Sequence, residues 1–205
     1  MTGKSRIPCE GKDLPPCTTA ETTVISPGEK AALRKTLAAA RKALDPVQKQ
    51  QWDARICANV LAWWDAGKPG HIGVYWPLAG EPDLHPAYAA LARAGVRLAL
   101  PVVHQKDAAL GFAHWEPGEA MVRDRMGVAV PQLLRPVERP QTLMIPCLGF
   151  NRHGYRLGYG GGYYDRTLAP HPRPLTLGIA YALAAASFAD DPHDVALDLI
   201  ITEQS

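Results

Sequence analysis

Hydrophobic and polar positions change rhythm several times along this chain. Residues 1–25 show no period; they are rich in Pro, Thr, Lys and Glu and read as a flexible leader to one domain spanning 26–205. Ser26-Pro27-Gly28-Glu29 then predicts a helix start, with Ser26 as cap, Pro27 in the first turn and Glu29 closing a capping box. To about residue 44, Leu33, Leu37, Ala40 and Leu44 form an apolar stripe, and Lys30, Arg34 and Arg41 fall in an arc bordering it. Asp45-Pro46 restarts a helix over 46–65, with Trp52, Ile56, Val60 and Trp63 or Trp64 inward and a stop before Gly67.

Beyond residue 70 short β-rich apolar runs take over. HIGVYWP (71–77), VRLALPVV (96–103), LGFAHW (110–115), TLMIPCL (142–148), LTLGIAY (175–181) and DLIIT (198–202) read as strands. A helix over 85–94, closed by Gly95, separates the first two, and the proline-rich 131–140 reads as a surface connection. Such alternation predicts an α/β domain with a largely parallel sheet.

Composition narrows the function classes. A chain of 205 residues with 47% hydrophobic content can bury one substantial core. A net charge of +2 gives no strong field, which argues against nucleic acid or an acidic membrane as the main partner. No apolar run reaches the length of a membrane span, and the amino terminus lacks a signal-peptide core, so a cytoplasmic protein is expected. Cys9, Cys17, Cys57 and Cys147 form no CxxC pair, and the seven histidines lack metal-ligand spacing. Packing is the expected role of Cys147.

Candidate chemistry concentrates in GYRLGYGGGYYDRTL (154–168), which holds five of the eighteen glycines. Strand, glycine loop and helix amino end form an order suited to anions, and Arg156 and Arg166 flank it. The common phosphate fingerprints do not fit. No Lys-Ser/Thr pair follows the glycines, and a GxGxxG begun at Gly158 would need glycine where Tyr163 stands. An ordinary glycine-rich turn is the alternative. Asp165 can pair with Arg166, cap the helix, or hold magnesium on a polyphosphate. A second carboxylate could come from Asp190, Asp191, Asp194 or Asp198. In YWPLAGEPD (75–83), Tyr75 and Trp76 can stack on a flat ring and Glu81 can accept from an amino-substituted heterocycle; an aromatic strand end with an exposed acid is the simpler reading.

RLGYGGGYYDR, preceded by PCLGFNRHG, closely resembles the signature loop of the 5-formyltetrahydrofolate cyclo-ligases, also called methenyltetrahydrofolate synthetases. KAALR, YWPLAGEPD, LPVV, GFAHWEPG, GVAVP, LTLGIAY and HDVALDLIITE follow that family's order, so the resemblance runs from about residue 30 to 203. It implies a single-domain, Rossmann-like layered α/β fold with a mostly parallel sheet flanked by helices, and ATP- and Mg²⁺-dependent conversion of 5-formyltetrahydrofolate to 5,10-methenyltetrahydrofolate, by phosphorylation of the formyl oxygen and ring closure through N10. Lys30 and Arg34 would then contact ATP phosphates, with Arg156, Leu157, Gly158, Tyr159, Gly160, Gly161, Gly162, Tyr163 and Tyr164 forming the nucleotide loop. Arg156 and Asp165 would act in catalysis, and Asp165 and Asp194 would hold Mg²⁺. Trp76, Glu81 and the loop from Tyr159 to Tyr163 would meet the folate. Arg41 has no matching role and is expected at the surface. A monomer is expected.

One departure stands out: Phe150-Asn151 replaces the family's usual Phe-Asp. It keeps one rival open, a folate- or nucleotide-binding homologue with little turnover; a second rival, independent of it, is a different ATP-using enzyme on the same scaffold acting on another N-formyl or amide compound.

Overall fold

The computed structural model describes residues 27–205. The leader and Ser26, and with it the proposed cap, lie outside them.

Helix α1 runs over Pro27–Lys42 and α2 over Pro46–Gly67. Between them Asp45 caps α2, its carboxylate accepting from the Gln48 amide at 3.0 Å, with Pro46 in the first turn where no amide partner is needed. α2 includes Gly67 and ends two residues later than expected. Lys68 takes the left-handed position (φ 43°) and donates its amide to the Trp64 carbonyl. Ile56, Cys57 and Val60 are buried on its inner face, and Trp52, Trp63 and Trp64 all pack against the same core.

The main sheet has seven strands: β1 (His71–Gly73), β2 (Arg97–Val102), β3 (Gly111–Trp115), β6 (Pro136–Val137), β7 (Thr142–Pro146), β10 (Leu175–Ile179) and β11 (Leu199–Ile201). Their order is β11-β10-β7-β1-β2-β3-β6. The first five are mutually parallel; β3 adds antiparallel to β2, and β6 antiparallel to β3, so that β6 again runs in the direction of β2. Helix α3 (His85–Arg93) links β1 to β2 and ends at Gly95, whose φ of 87° a side chain would disfavour. One face of the sheet buries Ile72, Leu98, Leu100, Met144 and Leu177 with residues of α2 and α3. The other buries Leu143, Ile145 and Phe112 with Leu168, Val195 and Leu197.

Four further short strands escape the periodicity. β4 (Met121–Arg123) and β5 (Ala129–Pro131) form one hairpin, and β8 (Gly149–Phe150) and β9 (Arg156–Leu157) another. The proline-rich connection is more than a loop, since it supplies the end of β5 and all of β6. Pro136 is tolerated because β6 is an edge strand with a neighbour on one side only.

The stripe on α1 also differs from expectation. Lys30, Leu37 and Arg41 are buried, whereas Ala40 is exposed. The basic row is therefore part of the inward face. Leu33, Leu37 and Ala38 pack on Leu148, Leu157 and Phe188, and the cations on either side of them find a carboxylate (Lys30), a carbonyl (Arg34) and a tyrosine hydroxyl (Arg41) under the helix.

Candidate active site

The parallel strands diverge at β1: the chain leaves it through α3 to β2 on one side, and β7 and β10 lie on the other. Such a switch point leaves a crevice beyond the carboxyl ends of the strands. A cavity of about 540 Å³ opens there, with walls from the ends of β1 (Tyr75, Trp76), β2 (Pro101, Val103) and β7 (Pro146). The glycine loop and the start of α4 (Tyr163–Leu168) close one side, and α1 contributes Lys30 and Arg34. Every residue from Arg156 to Asp165 lines this cavity, as do Trp76, Glu81 and Asp194. Residues scattered over more than 160 positions thus meet in one place. A second cavity of about 340 Å³, beside Thr176 and Asp198, contains none of them.

The glycine loop is held by cations on both sides. Arg34 donates Nε to the Gly158 carbonyl at 2.8 Å, and Arg166 donates to the Gly161 carbonyl at 2.8 Å. Gly160 (φ 92°) and Gly162 (φ 63°) occupy backbone conformations that disfavour a side chain. Gly158 has room for one, since a Cβ there would meet nothing within 4 Å.

Arg156, on β9, is almost fully buried, and its guanidinium meets Asp165 Oδ1 at 2.7 Å. It also donates to the Val195 carbonyl at 3.3 Å and lies over the Tyr164 ring. The expected pairing of Asp165 with Arg166 is not formed: Asp165 pairs with Arg156, and Arg166 approaches Asp107 at 3.9 Å. Lys30, equally buried, pairs with Asp191 at 2.7 Å and Asp194 at 3.4 Å. Among the described residues no group of three or more His, Cys, Asp or Glu side chains is arranged to hold a metal. Asp165 and Asp194 lie on the same cavity, each already beside a cation. A magnesium ion arriving with phosphate oxygens asks for only one or two carboxylates, so the donor set is compatible with one.

Glu81 is buried, not the exposed acid of the simpler reading. The 78–81 turn folds its side chain back: the Glu81 amide donates to the Leu78 carbonyl at 2.9 Å, and the Leu78 amide donates to Glu81 Oε2 at 2.8 Å. Oε1 accepts from the Tyr159 hydroxyl at 2.7 Å. Burial first, and Glu81 second, push the Tyr159 hydroxyl up to about 12, so it remains a donor across the biochemical pH range. Trp76 is half-buried and meets His85 edge-on at 4.6 Å, leaving it on the cavity wall. Tyr75 is a core residue whose hydroxyl donates to the Pro82 carbonyl at 2.8 Å; its ring is not free to stack on a ligand.

Arg41 corrects the expectation of a surface residue. It is 8% exposed and donates to the Tyr159 hydroxyl at 2.6 Å. The signal was available in the sequence: residues 30, 34, 37 and 41 recur on one helical face. Sequence reasoning also missed Asp124, Met126 and Val128, which reach the cavity from the β4–β5 hairpin.

Asn151 lies outside the cavity. It is buried under the β8–β9 turn, its Oδ1 accepting from the His153 and Tyr155 amides at 3.0 Å each and its Nδ2 donating to the Phe188 carbonyl at 3.0 Å. Its amide thus serves the turn, which removes the observation that favoured a non-catalytic binder.

Cys57 and Cys147 are free and buried, as packing roles require. No helix among the described residues is long and apolar enough to cross a membrane.

Comparison with known proteins points one way. Residues 27–203 match the model of the 5-formyltetrahydrofolate cyclo-ligase family. The 5-formyltetrahydrofolate cyclo-ligase of Escherichia coli K12 is 33% identical over 147 residues, covering 69% of this chain and 81% of the relative. That of Mycoplasma pneumoniae is 31% identical over 182 residues, 86% and 99% of the two chains. The solved structure of a 5,10-methenyltetrahydrofolate synthetase from M. pneumoniae superposes with a TM-score of 0.73 at 30% identity, covering 85% of this chain and 99% of that one. The corresponding Aquifex aeolicus structure gives 0.74 at 26%, covering 86% and 90%.

Proposed function

The chain belongs to the 5-formyltetrahydrofolate cyclo-ligase family and is a ligase of that kind, and from that premise we propose that it closes the ring of 5-formyltetrahydrofolate with ATP and Mg²⁺. The observation that carries this reading is the convergence on one cavity of a glycine loop, three cations, an indole and a buried carboxylate: Lys30, Arg34 and Arg156, Gly158–Gly162, Trp76 and Glu81.

In this reading the loop amides and the three cations take the triphosphate. Left-handed glycines on either side of Gly161 suit a concave run of amides, an anion cradle. Phosphoryl transfer asks a protein for positioning and charge stabilisation more than for a nucleophile. The γ-phosphoryl group passes to the formyl oxygen, and ADP leaves. N10 then attacks the activated formyl carbon, the C–O bond breaks with departure of phosphate, and N10 loses its proton. Arg156, buried and held by Asp165, is aimed where charge builds on the transferred group. Lys30 exchanges Asp191, whose side chain is largely exposed, for phosphate oxygens. Asp165 and Asp194 hold the Mg²⁺, which neutralises phosphate charge when bound. Glu81 and Trp76 seat the pteridine.

A spectrophotometric assay of methenyltetrahydrofolate formation, run with and without ATP, tests the reading. ATP-dependent product is expected; none at saturating ligands would reduce the protein to a binder.

A further inference from the structure

Arg41 is the buried charge near the site that the mechanism leaves unused. Its NH2 donates to the Tyr159 hydroxyl at 2.6 Å, and that hydroxyl donates to Glu81 Oε1 at 2.7 Å. Its NH1 lies 4.0 Å from the same oxygen and has no acceptor within hydrogen-bonding distance among the described residues. Leaving such a group unpaired is costly, and buried unpaired donors are uncommon. Gly80 (φ 79°) lies beside the guanidinium, where an added Cβ would stand 3.4 Å from Arg41 Nε.

The Tyr159 hydroxyl does two jobs at one point, accepting from a guanidinium and donating to a carboxylate. The lactam edge of a 4-oxopyrimidine ring offers the same functions side by side, an N–H and a C=O. A simple anion would face Glu81, so the free donor fits an uncharged acceptor better. We propose that Arg41 and Glu81 form one recognition pair for the lactam edge of the folate's pteridine ring, Glu81 taking the ring N–H and Arg41 NH1 the 4-oxo oxygen, with the Tyr159 hydroxyl holding that seat in the free protein. The inference rests on the folate reading above. Tyr159 can yield the seat: it is 52% exposed, sits next to Gly160 in the glycine loop, and covers Arg41 with its ring. This makes Arg41 a specificity-determining residue whose donor is displayed only when Tyr159 moves.

Direct binding of two ligands by the full chain tests it: 5-formyltetrahydrofolate and the analogue in which a 4-amino group replaces the ring oxygen. Arg41→Met should weaken the 4-oxo ligand about 10- to 100-fold, the worth of one hydrogen bond to a charged group, and the 4-amino ligand less than about threefold. Arg41→Lys, which keeps a cationic donor, should recover part of the loss. Equal losses for both ligands, as a merely structural role predicts, would overturn the proposal, and so would no loss. Tyr159→Phe gives a second reading that does not depend on the Arg41 variants folding. Freed of its internal occupant, it should bind the 4-oxo ligand several-fold more tightly, and unchanged or weaker binding overturns the seat. A wild-type chain that binds neither ring sinks the folate reading as well, whereas one that binds the 4-oxo ring with the Arg41 effects missing sinks this proposal alone.

Discussion

At the scale of single residues, ionic and polar partners decide what each candidate can do. Asp165 illustrates this, because its carboxylate holds Arg156 and is also a proposed magnesium ligand. Asp165→Asn removes both functions at once, and kcat is expected to fall about tenfold or more, as for loss of a charge-assisted contact at a reacting phosphate. Rates measured against Mg²⁺ at saturating ATP and folate separate the roles. A raised Mg²⁺ requirement, with partial recovery at high Mg²⁺, is expected; a fall that Mg²⁺ leaves untouched would assign Asp165 to positioning Arg156 alone. Asn151 makes the complementary case. Its Nδ2 donates to the Phe188 carbonyl, a bond an ionised carboxylate cannot supply. Asn151→Asp should therefore cost about 1–3 kcal/mol in urea unfolding, through a lost bond and an unpaired buried carbonyl. Equal stability would mean that the turn does not need the amide.

Among elements, the glycine loop is the one whose freedom matters most. Two of its members have backbone angles that resist substitution, and Gly161 has a crowded neighbour: a Cβ there would stand 2.8 Å from the Tyr163 ring. Gly161→Val therefore disturbs Tyr163 as well as the ligand's approach. Gly158→Ala is the cleaner probe, because the added methyl meets no protein atom within 4 Å and points into open space at the cavity wall. Its unfolding midpoint should match the wild type, while KM for ATP rises about tenfold through loss of close backbone approach. An unchanged KM would place the triphosphate elsewhere. The β8–β9 hairpin shows why this element resisted reading from sequence. Its strands are two residues each, too short to show alternation, and it is fixed by the Asn151 side chain and by the Leu197 amide donating to Gly154 at 2.9 Å. The β4–β5 hairpin, with three-residue strands, went unread for the same reason.

For the whole molecule, burial sets the response to pH. Desolvation raises the Cys57 thiol to about 11 and the Cys147 thiol and Tyr159 hydroxyl to about 12, and it holds Tyr75, Tyr88, Tyr164 and Tyr181 above the ordinary tyrosine value. Each group keeps its proton longer in the folded chain than in the unfolded one. The stability this supplies is complete below the unfolded values, near 9 for thiols and 10 for tyrosines, and is lost as pH rises toward the folded ones. The urea midpoint should thus be flat near about pH 8 and decline steadily above about pH 9. A flat profile to about pH 11 would mean that these groups are not desolvated.

The sequence alone determined the order of the long helices and of the six longer strand runs, the α/β class and the glycine loop, because these follow from local periodicity and from the backbone freedom of particular residues. It also carried the family landmarks, which are strings of neighbours. What only the tertiary structure decided is partnership: that Arg41 lies under Tyr159 and Glu81, that Lys30 meets Asp191 and Asp194, and that β3 runs against both its neighbours, β2 and β6. Periodicity reports which face of an element avoids water. Lys30 finds its counter-charge more than a hundred residues away, and although its helical face is legible, nothing local names that partner.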